Sequence, residues 1–321
     1  MVHALRFKGL DLNLLAALDV LFQELNVTRA ATRLHTTQSN VSGVLARLRR
    51  HFKDDLLVPY GRVLRKTPLA DQLQGPLHET ILRIESIASG DGSFDPASSS
   101  RHFRVEFPDH LIPVLLPGIT SRIATHAPNL VIEFSLPRGD PAPLLYRGEL
   151  DLVVTPHSYR TAEYPSVPLL KDELVVIGCQ ENAALAARPD SATLSELAVI
   201  SVRFDPNRIS GSLSTDQVRL IEGRQHLCMI APTFSSIPLM LVGSKAVAFL
   251  HRNLAERFAK ELPLVVHALP FKSPILEDVV MYHPNRANDI GLMWLIEQFV
   301  SVANDLRITH KRGSTRKTTG R

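Results

Sequence analysis

The chain has 321 residues, of which 45% are hydrophobic, 21% charged and 6% aromatic. This composition supports a packed core and predicts two or three domains, because one domain usually takes about 100–200 residues. No apolar run reaches the roughly 18 residues that a membrane-spanning helix needs. Residues 1–21 do not read as a secretion signal, and Cys179 and Cys228 alone cannot make a disulfide framework or a zinc site. We therefore expect a cytoplasmic protein that contacts no membrane.

The net charge of +4 is unevenly distributed along the chain. Residues 1–66 contain 11 Lys/Arg and 5 Asp/Glu, residues 311–321 contain five bases and no acid, and residues 67–310 have an excess of acids. A basic end on an acidic body predicts that this end meets a polyanion, although chance clustering on a solvated surface gives the same pattern. We expect the low-complexity segment 311–321 to be a basic, disordered tail.

Two short helices are predicted first. Leucine and phenylalanine residues at spacings of three and four over 12–25 predict an amphipathic helix that starts near Asp11. Thr28 can cap a second helix over 29–35, whose inner alanines would let another helix approach closely.

The third predicted helix carries the most informative pattern. Thr36 or Thr37 can cap it, and four aliphatic residues over 41–48 form one stripe at i, i+3, i+4 and i+7. The opposite face is small and polar at its beginning and basic at its end. Such a face suits the major groove, because short side chains permit close approach, polar groups bond to base edges and arginines neutralise phosphates. The pattern predicts a helix-turn-helix, although helical bundles that bind nothing can share it.

A short hairpin is predicted after the third helix. Residues 56–58 and 63–64 read as strands joined by a tight turn. This hairpin would be the wing of a winged helix-turn-helix, with Arg62, Arg65 and Lys66 near the DNA backbone or the minor groove. An ordinary solvated hairpin is the alternative.

This region resembles the DNA-binding end of LysR-type transcriptional regulators. The match is dense from Asp11 to Pro68, and the opening RFKGLDLNLL over 6–15 is similar to the subgroup of nodulation-gene regulators of rhizobia. Where the family typically reads SQPAVS, this chain reads TQSNVS over 37–42. The differences at Ser39, where the family has proline, and at Asn40, where it has a small residue, lie where bases are read, so they change the expected operator and leave the expected fold unchanged.

The resemblance implies a winged helix-turn-helix over residues 1–67 that binds a pseudo-palindromic, double-stranded promoter site. The residues that we expect to read bases, to lie close to them or to hold phosphates are Thr28, Arg33, Thr37, Gln38, Ser39, Asn40, Ser42, Gly43, Arg47, Arg50 and Arg62.

A long helix is predicted next, from about 68 to 89, with Gly75-Pro76 as a kink. Its single apolar stripe must be buried against a partner copy or against its own chain. The resemblance implies the former, so we assign 68–90 to a linker helix. We expect a homodimer or homotetramer held by this helix and the effector domain. A polar hinge follows over 89–100.

Strands and helices alternate over the rest of the chain. The β-α-β-α-β order over 103–155 predicts a mostly parallel sheet covered by helices, and a second series over 172–282, with a helix at 214–222, precedes a closing helix over 287–306. This α/β pattern resembles a two-lobed periplasmic-binding-protein clamshell. The resemblance implies an effector-binding domain over 91–310, with lobe 1 at about 101–165 and 270–310 and lobe 2 at about 166–269.

Ligands of open α/β sheets sit at the carboxyl ends of strands. A phenyl ring among hydroxyl and guanidinium groups at those ends would suit an aromatic or weakly acidic effector, and the likeness to nodulation regulators suggests a flavonoid-like one. For each residue singly, a helix cap or a solvated loop is the alternative. The candidates are Pro108, Asp109, His110, Arg138, Ser201, Arg203, Phe204, Phe234, Ser235, Ser236 and His251.

Motifs of catalysis are missing from the sequence. It contains no G-x-S-x-G elbow, no H-E-x-x-H pair and no glycine-rich nucleotide loop. We therefore expect a regulator that is not an enzyme and that holds no cofactor or metal. An α/β solute-binding or catalytic protein with a helical dimerisation domain is the alternative, and it would show no salt-sensitive retention on DNA. A nucleoid-type DNA binder that ignores small molecules is a third reading.

Overall fold

A computed structural model describes residues 6–7, 10–60, 63–88, 94–202, 226–273 and 275–316. They form two compact units. The first unit contains the described residues of 1–92 together with 142–151 and 283–289, and the second contains those of 93–141, 152–282 and 290–321. In the described ranges, no helix is long and apolar enough to cross a membrane.

Three helices begin the first unit, after a two-residue strand pair. Their apolar faces meet in one core, in which Leu18, Leu21, Phe22 and Leu48 are almost fully buried. This shared core explains the spacing of three and four in the sequence, because each helix turns one face towards the other two. The elements are β1 (Arg6–Phe7), β2 (Leu10–Asp11), α1 (Leu12–Glu24), α2 (Val27–Arg33) and α3 (Gln38–Phe52).

Side-chain caps define where these helices begin. The Asp11 carboxylate accepts a hydrogen bond from the Leu14 amide at 3.0 Å, and the Thr37 hydroxyl caps α3. Both predicted starts are confirmed. The predicted cap of the second helix is wrong: α2 begins two residues earlier, because the side chain of Asn26 accepts from the Arg29 amide. Thr28 therefore lies inside the first turn of α2.

The hairpin and the long helix complete the first unit. β3 (Leu57–Tyr60) pairs antiparallel with β4 (Val63–Lys66), as predicted for a wing. α4 (Pro68–Ala88) follows and packs on α1, on β4, on α6 (Ala142–Tyr146) and on the turn at 284–286. Part of the surface of α4 is thus buried against its own chain.

A mixed sheet forms the second unit. Its order is β10-β9-β11-β8-β13-β7-β5-β6, with β12 also paired to β8. β5 is parallel to β6 and β7, as predicted, whereas β8 and β13 are antiparallel to each other. The strands are β5 (His102–Glu106), β6 (Val131–Ser135), β7 (Leu152–Pro156), β8 (Ser166–Cys179), β9 (Ala198–Val202), β10 (His226–Ala231), β11 (Val247–His251), β12 (Leu264–Ala268) and β13 (Ile275–Tyr282).

Strand β8 joins the two halves of this sheet. Its first half pairs with β13, and its second half lies between β11 and β12. Three clusters of buried residues result among the described residues: one around Phe103 and Phe299, one around Val175 and Leu250, and one around Val176 and Val247. The helices that cover the sheet are α5 (Ile112–His126), α7 (Ser191–Glu196), α8 (Ile237–Leu241), α9 (Arg252–Ala259) and α10 (Ile290–Arg316).

The structure corrects several expectations for this half. β8 begins at Ser166, six residues earlier than predicted, because its first half is a crossing strand that pairs with β13. α7 was not predicted, although Asp190 caps it by accepting from the Thr193 amide at 2.8 Å. α10 continues to Arg316, into the segment expected to be a disordered tail, because no proline interrupts it. The predicted helix at 214–222 lies outside the described residues.

Candidate DNA interface and candidate effector site

The outward face of α3 is polar and exposed. Val41, Leu45 and Leu48 point into the core of the first unit, which leaves the other side of the helix open. Two of the polar side chains there also serve the helix itself: Thr37 caps it, and the Asn40 amide donates to the Thr36 hydroxyl at 2.9 Å. The exposed candidates on α3 and its cap are Thr37, Gln38, Ser39, Asn40, Ser42, Gly43, Arg47 and Arg50.

Gly43 lies in the middle of this face and has no side chain. A methyl group built at Gly43 would meet no atom within 4 Å. Glycine inside a helix costs about 1 kcal/mol relative to alanine, and nothing within the chain requires it here. Without a side chain here, the helix backbone is open to close approach from outside.

The candidate arginines differ in their partners. Arg47 and Arg50 are exposed on α3, whereas Arg33 forms an ion pair with Glu24 at 3.0 Å. Arg62 lies outside the described residues. Arg47 and Arg50 are therefore the candidates on α3 that form no ion pair in the described structure, whereas Glu24 offsets part of the charge of Arg33.

Two further arginines organise the wing. The Arg65 guanidinium lies 3.5 Å from the centre of the exposed Tyr60 ring, which stacks it on the hairpin. Arg49 instead donates to the carbonyl oxygens of Asp55 and Leu57 at 2.8 and 2.6 Å. Arg49 therefore fixes the wing on α3. Thr28, the last candidate of this group, is exposed on α2.

In the second unit, several predicted effector residues lie together. His110 follows β5, and its ring stacks on that of His251, at the end of β11, with centroids 4.0 Å apart. The Phe234 ring stands edge-on to both, and the Ser235 amide donates to Asp109 at 2.9 Å. We call this group, with one further member from β13, the histidine cluster: Asp109, His110, Phe234, Ser235, His251 and Asp278.

The histidine cluster contains buried polar atoms without partners. Nε2 of His110 lies 3.3 Å from Oδ2 of Asp278, and both side chains are buried. In the described structure, the other Asp278 oxygen and both ring nitrogens of His251 have no hydrogen-bond partner. Such atoms are costly to bury. Their concentration in one place indicates a site that a ligand can complete.

The pKa values of the two histidines are shifted in opposite directions. Burial lowers the pKa of His110, but the carboxylates of Asp278, Asp109 and Asp172 outweigh it, so this pKa is raised. Burial, followed by the charge of His110, lowers the pKa of His251 well below its usual value. His110 is therefore protonated more readily than His251, whose ring stays neutral at neutral pH.

The remaining effector candidates have other surroundings or lie outside the described residues. Pro108 precedes it in the chain, and Ser236 bonds locally to Thr233. The backbone amide of Arg138, whose side chain is exposed, donates to Glu106 at 3.3 Å, and Ser201 lies half-buried in β9. Arg203 and Phe204 fall outside the described residues.

Sequence reasoning missed three buried acids. Asp278 lies in the apolar strand ILEDVVMY, Asp172 in LLKDELVV, and Glu106 ends β5. The available signal was a carboxylate among the apolar residues of a strand, because an unpaired carboxylate is rarely buried. Their partners come from distant parts of the chain, so the sequence could not assign them.

Glu106 gives the second unit a pH-dependent stability. Burial raises the pKa of Glu106 from 4.5 to about 7, although the Arg138 amide and charge oppose the rise. Because the folded form holds this proton more tightly than the unfolded form, stability falls as pH rises from about 4.5 to about 7. The difference corresponds to roughly 3 kcal/mol. Glu106→Gln should remove it.

The measurement is thermal unfolding of wild type and Glu106→Gln from pH 4 to pH 8. We expect the two proteins to melt alike at pH 4, and the variant to be the more stable at pH 8. Parallel profiles across this range would contradict the assignment of a buried, neutral carboxyl group to Glu106.

A winged helix-turn-helix with a polar reading face and a two-lobed α/β domain together define a class: ligand-responsive, DNA-binding transcriptional regulators. Residues 12–71 match the family described as bacterial regulatory helix-turn-helix protein, lysR family, and residues 96–304 match the LysR substrate binding domain. The chain belongs to the LysR-type transcriptional regulators.

Relatives agree with this assignment over nearly the whole chain. Nodulation protein D of Bradyrhizobium sp. (strain ANU 289) is 33% identical over 97% of this chain and 92% of its own length. Nodulation protein D 3 of Rhizobium meliloti (strain 1021) is 34% identical over 91% of this chain and 93% of its own.

Among solved structures, full-length OxyR from Pseudomonas aeruginosa has the same fold, with a TM-score of 0.73 at 17% identity over 92% of this chain and 97% of its own. Full-length CbnR complexed with its target DNA aligns with a TM-score of 0.51 at 13% identity over 92% of this chain and 100% of its own.

Proposed function

We propose that this regulator binds a pseudo-palindromic promoter site with α3 in the major groove and the wing along the backbone. The observation that carries the proposal is the exposed face of α3, on which small and polar side chains surround Gly43 and two arginines follow. In this arrangement Gln38, Ser39, Asn40 and Ser42 reach base edges, and Arg47 and Arg50 hold phosphates. Two-fold symmetry of the site requires at least a homodimer.

A small molecule bound at the histidine cluster would regulate this activity. An uncharged hydroxyl group suits the unpartnered atoms, because it can donate to Asp278 and share a hydrogen bond with His251. The charges that act on His110 are carboxylates, and an acidic ligand would add another negative charge beside them. A hydroxylated aromatic therefore fits better than the weakly acidic ligand that the sequence also allowed.

The proposal also includes where the protein acts and whether it transforms its effector. A protein that binds promoter DNA shares the compartment of the chromosome, which supports a cytoplasmic location. The polar atoms of the histidine cluster suit recognition, and the relatives are regulators, so we propose that the chain binds its effector without transforming it. Effector binding would shift the placement of the protomers, provided that it favours one arrangement over the other.

The test is footprinting of the full-length protein on the DNA upstream of its own gene and its divergent neighbour. It is run at two salt concentrations, with and without a panel of aromatic acids and flavonoids. We expect a roughly two-fold symmetric protected site that changes with an uncharged, hydroxylated compound. No protection at either salt, together with thermal stabilisation by a metabolite, would favour a solute-binding protein instead.

Arg47 should contribute to binding without reading sequence. Arg47→Ala removes one phosphate contact, so binding should weaken on specific and unrelated DNA alike, and the slope of log K against log salt should flatten by about 1. Fluorescence anisotropy at four salt concentrations measures both quantities. Arg49→Ala is a contrasting variant, because Arg49 bonds to the wing backbone. An unchanged salt slope for Arg47→Ala would contradict the phosphate assignment.

A further inference from the structure

A second set of polar contacts lies in the first unit, away from the exposed face of α3. Two buried side chains on one face of α4, Gln74 and His78, meet the loop residues Arg147 and Gly148. These loop residues lie within 142–151, a segment of the matched substrate-binding domain that clusters with the DNA-binding head. We call this group of α4 and loop residues the junction.

His78 connects the junction to α1. Its Nδ1 donates to Oδ2 of Asp19 at 3.0 Å, and Gln23 donates to the same oxygen at 2.9 Å. Both Asp19 and His78 are buried, so neither can exchange this contact for water without opening the packing. The other side of the His78 ring lies against Gly148, where an added Cβ would fall 2.1 Å from Cε1.

Gln74 connects the junction to the wing. Its Oε1 accepts from Nζ of Lys66, the last residue of β4, at 2.5 Å, and its Nε2 donates to the Arg147 carbonyl at 3.4 Å. One turn of α4 therefore holds both α1 and the wing. Next to it, Gly75 leaves room for the ring of Tyr146, which an added Cβ would strike.

The chain continues directly from the junction into the sheet of the second unit. Asp151 precedes β7, and His283 follows β13, the strand that carries Asp278 of the histidine cluster. The guanidinium of Arg286, which is buried, bonds to both Asp151 and Asp289, so the two returning segments are tied to each other.

We propose that Gln74 and His78 are positioning residues for DNA binding: they fix the wing and α1 to the loop at 147–148 and so set where each head can meet its half-site. This inference rests on the proposed DNA contacts of α3 and the wing. It assigns to these residues no contact with DNA. Their loss should therefore affect binding to two half-sites together more than binding to one.

The test compares Gly148→Ala with Gly243→Ala in the full-length protein. Gly148 has φ +67° and Gly243 has φ +69°, so both substitutions strain the backbone alike, but only at Gly148 does the new methyl group strike the His78 ring. Binding is measured by anisotropy on the footprinted fragment and on the same fragment with one half-site replaced. We expect Gly148→Ala to bind the complete fragment about tenfold more weakly, with the half-site fragment and Gly243→Ala unchanged.

If Gly148→Ala fails to fold, His78→Leu and His78→Gln test the same inference. Glutamine retains a donor for Asp19 and leucine does not, so His78→Gln should restore two-site binding that His78→Leu loses. If the variants lose the same affinity on both fragments, in step with their melting temperatures, the residues have a structural role only and the inference is overturned. Unchanged binding would also overturn it. Failure of the wild-type protein to bind either fragment would instead overturn the proposed function.

Discussion

Gly43→Leu should abolish operator binding while leaving the head folded. The residue lies in the middle of the exposed face of α3, where an added Cβ meets no side chain within 4 Å. In a major groove the same side chain would hold the helix away from the bases. Losing two good base contacts at about 1–3 kcal/mol each lowers affinity by at least about 30-fold.

The stability of the variant separates this explanation from misfolding. Leucine is a better helix former than glycine by up to about 1 kcal/mol, so Gly43→Leu should melt no lower than wild type. Ala192→Leu is the matched control, because it adds an exposed leucine to a helix of the second unit. Anisotropy and thermal unfolding are measured on all three proteins. Operator binding by Gly43→Leu within twofold of wild type would exclude α3 as the groove helix at this position.

Local sequence signals predicted the DNA-binding head well. Apolar spacing placed α1 and α3, and their capping residues Asp11 and Thr37 set both starts correctly. The error at α2 arose because Thr28 was taken as the cap, although Asn26, two residues earlier, is the stronger N-cap residue. Arg49 shows the limit of such reasoning, because only the position of the wing reveals that its guanidinium is bonded to backbone.

The effector site was predictable only in part. Strand ends nominated His110, Phe234 and His251, and the structure brings these three together. Asp278 was missed because its contact with His110 spans 168 residues and depends on how β13 pairs with β8, which no local pattern encodes. The contacts of α4 within the junction are of the same kind, since Gln74 and Arg147 are 73 residues apart.

A substitution at His251 should have the opposite effect on stability from most substitutions of buried residues. His251→Phe should stabilise the protein and abolish its response to the effector. The wild-type ring is fully buried and neutral, and its two nitrogens have no partner in the described structure. Phenylalanine can keep the stack on His110 and the edge contact with Phe234 while removing the buried polar atoms. The gain should be about 1–3 kcal/mol, or roughly 2–4 °C in Tm per kcal/mol.

His267→Phe is the control that separates a cluster effect from a general effect of removing histidine. His267 is only partly buried, and its Nε2 donates to the Leu185 carbonyl at 2.9 Å, so the same substitution there should lower Tm and leave the effector response intact. Thermal unfolding and footprinting with the compound panel provide both readouts. If His251→Phe were less stable than wild type and still responded, the ring nitrogens would not be the atoms that the effector satisfies. The expected result is that His251→Phe raises Tm and loses the effector response, while His267→Phe lowers Tm and keeps the response. This would mean that the unpartnered nitrogens of His251 lower the stability of the free protein because their hydrogen-bond partner is the ligand.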